Sequence, residues 1–482
     1  MSRIKVVVLG SLVITGGILL MLGGWLGMRG PAAPAEHSVT KGTGPRPNVV
    51  LIVVDALRAD RVGASRNGQP LTPFLDEFSR AAAVFEHAVT ACTWTRPSIA
   101  SLFTSLHVDT HQVYFDNNPD TPEHPTADAL SKDLETAAEF LREQGYRTAG
   151  VQTNGNLKPL FGFDQGFDTY EYLADAPGAA ITNMALNTLE TLSGPFFMYV
   201  HYIDPHLPYI PPDTYRKLLG WPPAISPEEM AIVTDGFIEY LWDYMNAATG
   251  RKSTSYTPLS DEAKEAVRLL YDAEVRYADD EMRRFVSELQ SRFPDTYIII
   301  TADHGEELWD HNYLGHGLAM YEETLRVPLI IAGPGIAPGR FPQTVSLVDL
   351  LPTMATWLQL PPRPFWQGRD VFAPPPETPR PFFSYTEGPW PGWNTKKEMV
   401  LVGNEKLIAN RINDTVELFD VIQDPPEQHN FSKDRPEQVK AFLKLLDEHR
   451  DRNIRARQSV RTRTVVDAET LEQQRILGYG HK

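Results

Sequence analysis

The chain has 482 residues, 42% of them hydrophobic, enough to bury a sizeable core, so disorder is not the expectation. Its 62 acidic against 45 basic residues leave a formal net charge of −17. That excludes the basic face with which a nucleic-acid binder displaces phosphate counterions, and no nucleic-acid partner is expected. A single cysteine, Cys92, excludes an intramolecular disulfide.

Arg3 and Lys5 precede an uncharged run from Val6 to Met28. As a helix that run would span about 34 Å, enough to cross the hydrocarbon core of a bilayer. The basic flank predicts an N-in orientation, with the body of the chain outside the cytoplasm, periplasmic or extracellular. Residues 1–28 are therefore read as a membrane anchor. A cleaved signal cut near Ala33-Pro34-Ala35 is the alternative and would leave the chain secreted. Residues 29–46, rich in Pro, Gly and Ala, read as a tether.

From residue 47 the pattern is that of an α/β domain. Pro47–Val54 (PNVVLIVV) is a continuous apolar run, as a parallel strand buried on both faces requires, and it ends in Asp55. A helical stretch over 134–145 leads into a strand at Thr148–Gln152. Phe196–Ile203 is a strand ending in Asp204. A long helical pattern over 260–290 feeds a strand at Tyr297–Thr301, followed by Asp303 and His304, and Arg326–Ala332 is a further strand. This alternation predicts a three-layer α/β/α sandwich on a mostly parallel sheet. Ligands of such sheets bind at the C-terminal strand edge, where Asp55, Asp204, Asp303 and His304 are expected to meet. Residues 207–258, rich in Pro, Tyr and Trp, are expected to form a lid over that edge. The proline-dense stretch 361–381 marks a boundary. Short strands at 382–385, 398–402, 406–410 and 415–421, then a helix near 435–450, predict a small α+β subdomain with an antiparallel sheet. The expected division is 47–375 for the catalytic domain and 376–482 for the subdomain and tail.

Four segments carry candidate chemistry. In ITADHGEELWDHNYLGHG (300–317), Asp303, His304, His311 and His316 offer carboxylate and imidazole ligands for a divalent cation such as Zn²⁺, Mn²⁺, Ca²⁺ or Mg²⁺. A turn with a satisfied histidine is the alternative. In VVDALRAD (53–60), Asp55 is a ligand or, alternatively, a helix cap. In ACTWTRPSIASLFTSLHVDTH (91–111), Thr95 opens a helix, where amides favour an oxyanion; alternatively it is an N-cap with Pro97 in the first turn. In VHYIDPHLPYIPP (200–212), His201, Asp204 and His206 cluster at a strand end.

The order of these motifs resembles the sulfatase branch of the alkaline phosphatase superfamily, from Pro47 to the end of the chain. YEETLRVPLIIAGPG (321–335), SLVDLLPTMATWL (346–358), ELFDVIQDPPEQHNF (417–431) and the LGY at 477–479 extend the resemblance. It implies a metal held by Asp55, Asp303 and His304, with Ala56 standing where most members have a second aspartate. It also implies an anionic ester as substrate. The family nucleophile, Cys or Ser in a Cys-x-Pro-x-Arg motif, falls on Thr95 when Pro97 is the motif proline, and on Cys92 when Arg96 is the motif arginine. The Thr95 register keeps the downstream Ala-Ser-Leu-x-Thr pattern without a gap and is preferred. Threonine cannot become formylglycine, so its ester must be released by water. Thr95 would also contact the metal, with His206 and His316 as proton donors or water-orienting groups. Asp204, His311, Asn154 and Arg96 are candidates for a second metal or for substrate contact. Where sulfatases have Gly-Lys-x-His, this chain has Thr153-Asn154-Gly155-Asn156, and a later family lysine gives way near His316. The expected activity is metal-dependent hydrolysis of sulfate or phosphate esters. A phosphoethanolamine- or phosphoglycerol-type transferase and a non-catalytic binding protein on the same fold are the alternatives.

Overall fold

The computed structural model describes residues 46–114, 126–174, 176–248, 256–387 and 395–479. The run at 6–28, read as an anchor, lies outside them. Among the described residues no helix is long and apolar enough to cross a membrane.

Eight strands form the central sheet: β1 (Asn48–Val54), β2 (Ala83–Val89), β3 (Arg147–Gln152), β4 (Thr169–Tyr172), β5 (Phe196–Tyr202), β6 (Thr296–Ala302), β7 (Arg326–Ala332) and β8 (Gly339–Ser346). Their order is β8-β2-β7-β6-β1-β5-β3-β4. β7 alone runs antiparallel to its neighbours; every other pairing is parallel. The three central strands β6, β1 and β5 are buried along their whole length, and none carries a Lys, Arg, Asp or Glu. Burial on both faces is what demands those continuous apolar runs. β2, β4 and β8 escape a search for such runs because they interleave Glu86 and His87, Glu171, and Arg340 among their apolar residues.

Helices α1 (Thr95–Thr104), α2 (Ala137–Glu143), α3 (Gly178–Thr191), α4 (Asp213–Leu218), α5 (Pro227–Thr234), α6 (Phe237–Ala248), α7 (Asp261–Arg292) and α8 (Leu350–Trp357) complete the α/β/α layers. α3 packs on α7, and α1 packs on α2 and α8. All ten residues of α1 are buried, Arg96 included. That helix is therefore held rigidly from every side, which matters because its first residue faces the candidate site.

The antiparallel sheet expected after the proline-dense stretch is β9 (Pro381–Glu387), β10 (Lys396–Val402), β11 (Glu405–Asn410) and β12 (Thr415–Asp420), paired in sequence order. Helix α9 (Pro436–Arg455) covers β10 and β11. The chain then returns to the main domain. Thr462–Val465 pairs with Thr126–Ala129, and α10 (Ala468–Ile476) packs beside Gly155–Leu157. This return brings Tyr479 under the central sheet edge.

One close backbone approach fixes the loop after β6. The Gly305 and Glu306 amides donate to the carbonyls of Thr324 and Glu323 at 3.0 and 3.1 Å. A Cβ on Gly305 would sit 1.8 Å from the Glu323 carbonyl oxygen, so only glycine fits. Gly305→Ala is expected to cost about 2–3 kcal/mol through forced backbone displacement, read as a lower urea midpoint with an unchanged slope.

Candidate active site

Strand register builds the first part of the site. Val54 pairs with Ala302 on one side and with Tyr202 on the other. The next residues of β1 and β6 thus leave the sheet at one level, which sets Asp55 beside Asp303. Both are fully buried. Asp303 Oδ1 accepts the amides of Ala56 (3.3 Å) and His304 (2.9 Å). Asp55 Oδ2 accepts from Asn154 Nδ2 (2.6 Å) and His201 Nε2 (3.0 Å). His201 is in turn oriented through Nδ1, 2.6 Å from the Tyr199 hydroxyl.

The remaining oxygens, Asp55 Oδ1 and Asp303 Oδ2, are buried without a hydrogen-bond partner. His304 points between them, with Nε2 at 3.5 Å from Asp55 Oδ1 and 3.4 Å from Asp303 Oδ2. Its Nδ1 lies 2.8 Å from the Gly305 carbonyl and so carries the hydrogen, leaving a lone pair on Nε2. Burial, and then the neighbouring His316, hold the imidazole well below its ordinary pKa, in the neutral form a ligand needs. Burial and the adjacent Asp55 charge push the Asp303 carboxyl well up. Two orphaned carboxylate oxygens and an imidazole lone pair lie within 4.8 Å of one another. This donor set fits a divalent cation, whose charge would relieve the carboxylate repulsion.

Thr95 faces the same point. Trp94, in extended conformation, takes the N-cap position, so Thr95 is the first helical residue and its hydroxyl is not spent on capping. Thr95 Oγ1 lies 3.3 Å from His304 Nε2, and 3.4 Å each from Asn154 Nδ2 and the Tyr479 hydroxyl. Ser98, one turn on, donates to the Asp303 carbonyl at 2.7 Å and ties α1 to β6.

Opposite Thr95 is a chain of hydrogen bonds. The Tyr479 hydroxyl is 2.5 Å from His316 Nε2 and 3.1 Å from His206 Nε2. His206 Nδ1 is 2.6 Å from the Leu207 carbonyl and must carry a hydrogen there. Burial lowers the His206 pKa, so the ring is neutral and its Nε2 accepts from Tyr479. With its one hydrogen used, the phenol oxygen accepts from His316 Nε2–H. His316 Nδ1 meets Glu306 Oε1 at 2.8 Å. The Glu306 carboxyl is pushed up to about 8 by burial, and His316 is pushed down to about 4 by burial, so Glu306 holds the proton and donates it to Nδ1. His316 is thereby a poised donor and His206 a poised acceptor. Beside them, a Cβ on Gly315 would meet Leu207 and, from α6 in the expected lid region, Leu241.

The structure brings together Asp55, Thr95, Asn154, His206, Asp303, His304 and His316. It separates three other candidates from them. Asp204 turns away at the turn that follows β5, with Oδ2 accepting the amide of Gly178, the first residue of α3, at 2.8 Å. His311 lies on the far side of the 305–316 loop, with Nε2 at 3.0 Å from the Pro426 carbonyl. Arg96 is turned along α1, donating to Asn156 Oδ1 at 2.8 Å and stacking 3.8 Å over the Phe161 ring. Cys92 is buried where the chain bridges to Tyr385, and burial pushes its thiol far up. Residue patterns alone do not assign Tyr479 or Glu306 to the site, nor make His201 a ligand partner. The LGY ending is the one available signal for Tyr479, and nothing in it indicates where that tyrosine packs.

A family model described as Sulfatase matches residues 47–360. The multifunctional alkaline phosphatase superfamily protein PehA of Trinickia caryophylli is 26% identical over 384 residues, covering 65% of this chain and 74% of its own length. Arylsulfatase K of Gallus gallus is 25% identical over 493 residues, covering 90% and 87%. Among solved structures, the phosphonate monoester hydrolase of Agrobacterium radiobacter superposes with a TM-score of 0.66 at 19% identity, over 85% of this chain and 96% of that one; the likeness carries the fold.

With Tyr479 seated, none of the site groups exceeds 6% exposure. A Thr95→Cys variant should therefore react slowly with a small maleimide, and adding Tyr479→Ala should raise the labelling rate at least about tenfold. Equal rates in the two variants would show that the phenol does not seal the site.

Proposed function

The chain belongs to the sulfatase family, and from that premise we propose that it is a metal-dependent hydrolase of sulfate or phosphate esters with Thr95 as nucleophile. The observation that carries the reading is the convergence of Thr95 Oγ1, His304 Nε2 and the two unpartnered oxygens of Asp55 and Asp303 on one buried point. Asp55, Asp303, His304 and Thr95 would hold the cation. Its identity is open among Mn²⁺, Zn²⁺, Ca²⁺ and Mg²⁺. When bound, it supplies a lowered pKa for the threonine hydroxyl and charge stabilisation for the ester oxygens.

The chain's own groups do the rest. Thr95 Oγ, its proton released to solvent before substrate is attacked, forms a bond to phosphorus or sulfur while the bond to the ester oxygen breaks. Asn154 Nδ2, shared between Asp55 and Thr95, keeps the nucleophile aligned. The Tyr479 hydroxyl occupies the place of the departing ester oxygen, so substrate enters when the 468–479 segment withdraws. His316 Nε2–H, backed by Glu306, then gives its proton to the leaving alkoxide. In the second half, His206 Nε2 accepts a proton from the water that attacks the Thr95 ester and passes it to the departing Thr95 Oγ, restoring the hydroxyl, while Glu306 and His316 regain their proton from solvent.

The anionic character of the substrate is supported by relatives that act on such esters, arylsulfatase K among them. Asn154 and His316 stand where the family resemblance places lysines, so substrate charge meets hydrogen-bond donors rather than ammonium groups. The run 6–28, with its basic flank, is proposed to hold the enzyme on a membrane with this site outside the cytoplasm.

Activity on paired aryl sulfate, phosphate monoester and phosphate diester substrates, with metal analysis, tests the reading. Thr95→Ala should lower turnover at least about 10³-fold with metal content retained, while Cys92→Ala stays active. Full activity of Thr95→Ala together with loss in Cys92→Ala would assign the nucleophile to Cys92.

A further inference from the structure

The loop that carries Glu306 and His316 into the site has a second set of ligand-type groups on its other side. Glu307, His311 and Glu323 offer one ligand atom each, all within 4.8 Å of one another. Glu307 is 1% exposed, and neither of its carboxylate oxygens has a hydrogen-bond partner. Glu323 Oε2 and His311 Nδ1 are likewise buried without one, 3.5 Å apart. A buried carboxylate with both oxygens orphaned is costly unless a cation answers it.

Among the described residues the neighbouring arginine and lysine are committed elsewhere, and His311, raised against its burial to about 9 by Glu323 and Glu307, carries a proton that a bound ion would displace. Arg58 pairs with Asp60 and Asp310, and Lys406 pairs with Glu322 and Glu427. His311 is set as metal-binding histidines are. Its Nε2 lies 3.0 Å from the Pro426 carbonyl, an outer contact that fixes the ring and leaves Nδ1 for a metal. The ring is further held by stacking on Tyr321, with centroids 3.7 Å apart at 14°. The backbone places the carboxylates independently of any ion: Glu307 pairs with Gly315 in a two-strand turn, and the Glu306 amide bonds to the Glu323 carbonyl.

We propose that Glu307, His311 and Glu323 bind a second divalent transition-metal ion of the Mn²⁺ or Zn²⁺ class. It lies apart from Asp55, Asp303 and His304 and clamps the 305–316 loop to the Glu322–Leu325 turn. Two carboxylates and one imidazole suit those ions, and the cluster edge at His311 and Glu323 is partly exposed, so entry from solvent is open. The ion closes the outside of the loop whose inside presents His316 to the substrate. It acts on position, not chemistry.

Metal analysis and calorimetric titration of the stripped full chain with MnCl₂ or ZnCl₂ test this. The wild type is expected to take two equivalents, Asp303→Asn/His304→Ala one, and Glu307→Gln/His311→Ala one. The outer ion should also raise the Tm of Asp303→Asn/His304→Ala on metal addition, a readout that needs no activity and no further variant. If that variant binds no metal and its Tm does not move, the outer site is overturned, whatever becomes of the catalytic reading. If the wild type loads one equivalent and Glu307→Gln/His311→Ala still loads one, the proposal fails and a proton on His311 balances the cluster instead. The catalytic reading fails separately, when Asp303→Asn/His304→Ala keeps full turnover.

Discussion

Two carboxylates held side by side without solvent are the constraint on which the site depends. Asp55 and Asp303 leave adjacent parallel strands at the same level, and the register of β1 against β6 leaves them no other place. Each has one oxygen satisfied by the protein and one left over. Unrelieved, such a pair is repulsive and poorly solvated. The surroundings look like a mould for a positive charge: His304 presents its lone pair, Asn154 and His201 fix the far oxygen of Asp55, and α1 brings a hydroxyl to the same point. The architecture of the family provides this edge, and the buried apolar strands keep it rigid.

The second feature is closure. The chain leaves the main domain, builds a four-stranded sheet, and comes back to insert Tyr479 between His206, His316 and Thr95. The phenol defines the protonation of its neighbours. One hydroxyl hydrogen shared between two imidazole nitrogens requires that one nitrogen donate, and Glu306 decides that it is His316. A substrate oxygen arriving in place of the phenol meets the same donor and acceptor. The seal and the proton chain are thus two aspects of one side chain, contributed from the far end of the sequence.

Much of this is legible in the amino-acid sequence. The continuous runs at 47–54, 196–203 and 297–301 demand central parallel strands, and the acidic residues that follow them mark the site edge. The antiparallel subdomain follows from short runs after a proline-dense break. Strands towards the margins of the sheet, such as Ala83–Val89 next to the edge strand β8, are not legible, because partial burial admits Glu86 and His87 and removes the apolar signal. The legible site residues are those attached directly to strand or helix ends, Asp55, Thr95, Asp303 and His304, together with Asn154, His206 and His316 in the segments that follow strand ends. Asp204 has the same local signature as Asp55, yet the bend after β5 turns it to the Gly178 amide, a matter of backbone direction that residue type does not encode. His311 sits in a metal-like motif but belongs to the outer face of its loop. Placing Tyr479 requires knowing how a distant segment packs, and no periodicity carries that.

The central claim is that Thr95 attacks the ester and carries the transferred group. Acid quenching during turnover, followed by peptide mass spectrometry, tests it most directly. The account predicts a phosphoryl or sulfuryl adduct on the peptide containing Thr95, localised to that hydroxyl and absent from Thr95→Ala. An adduct on Cys92, or turnover by Thr95→Ala at the wild-type rate, would contradict it.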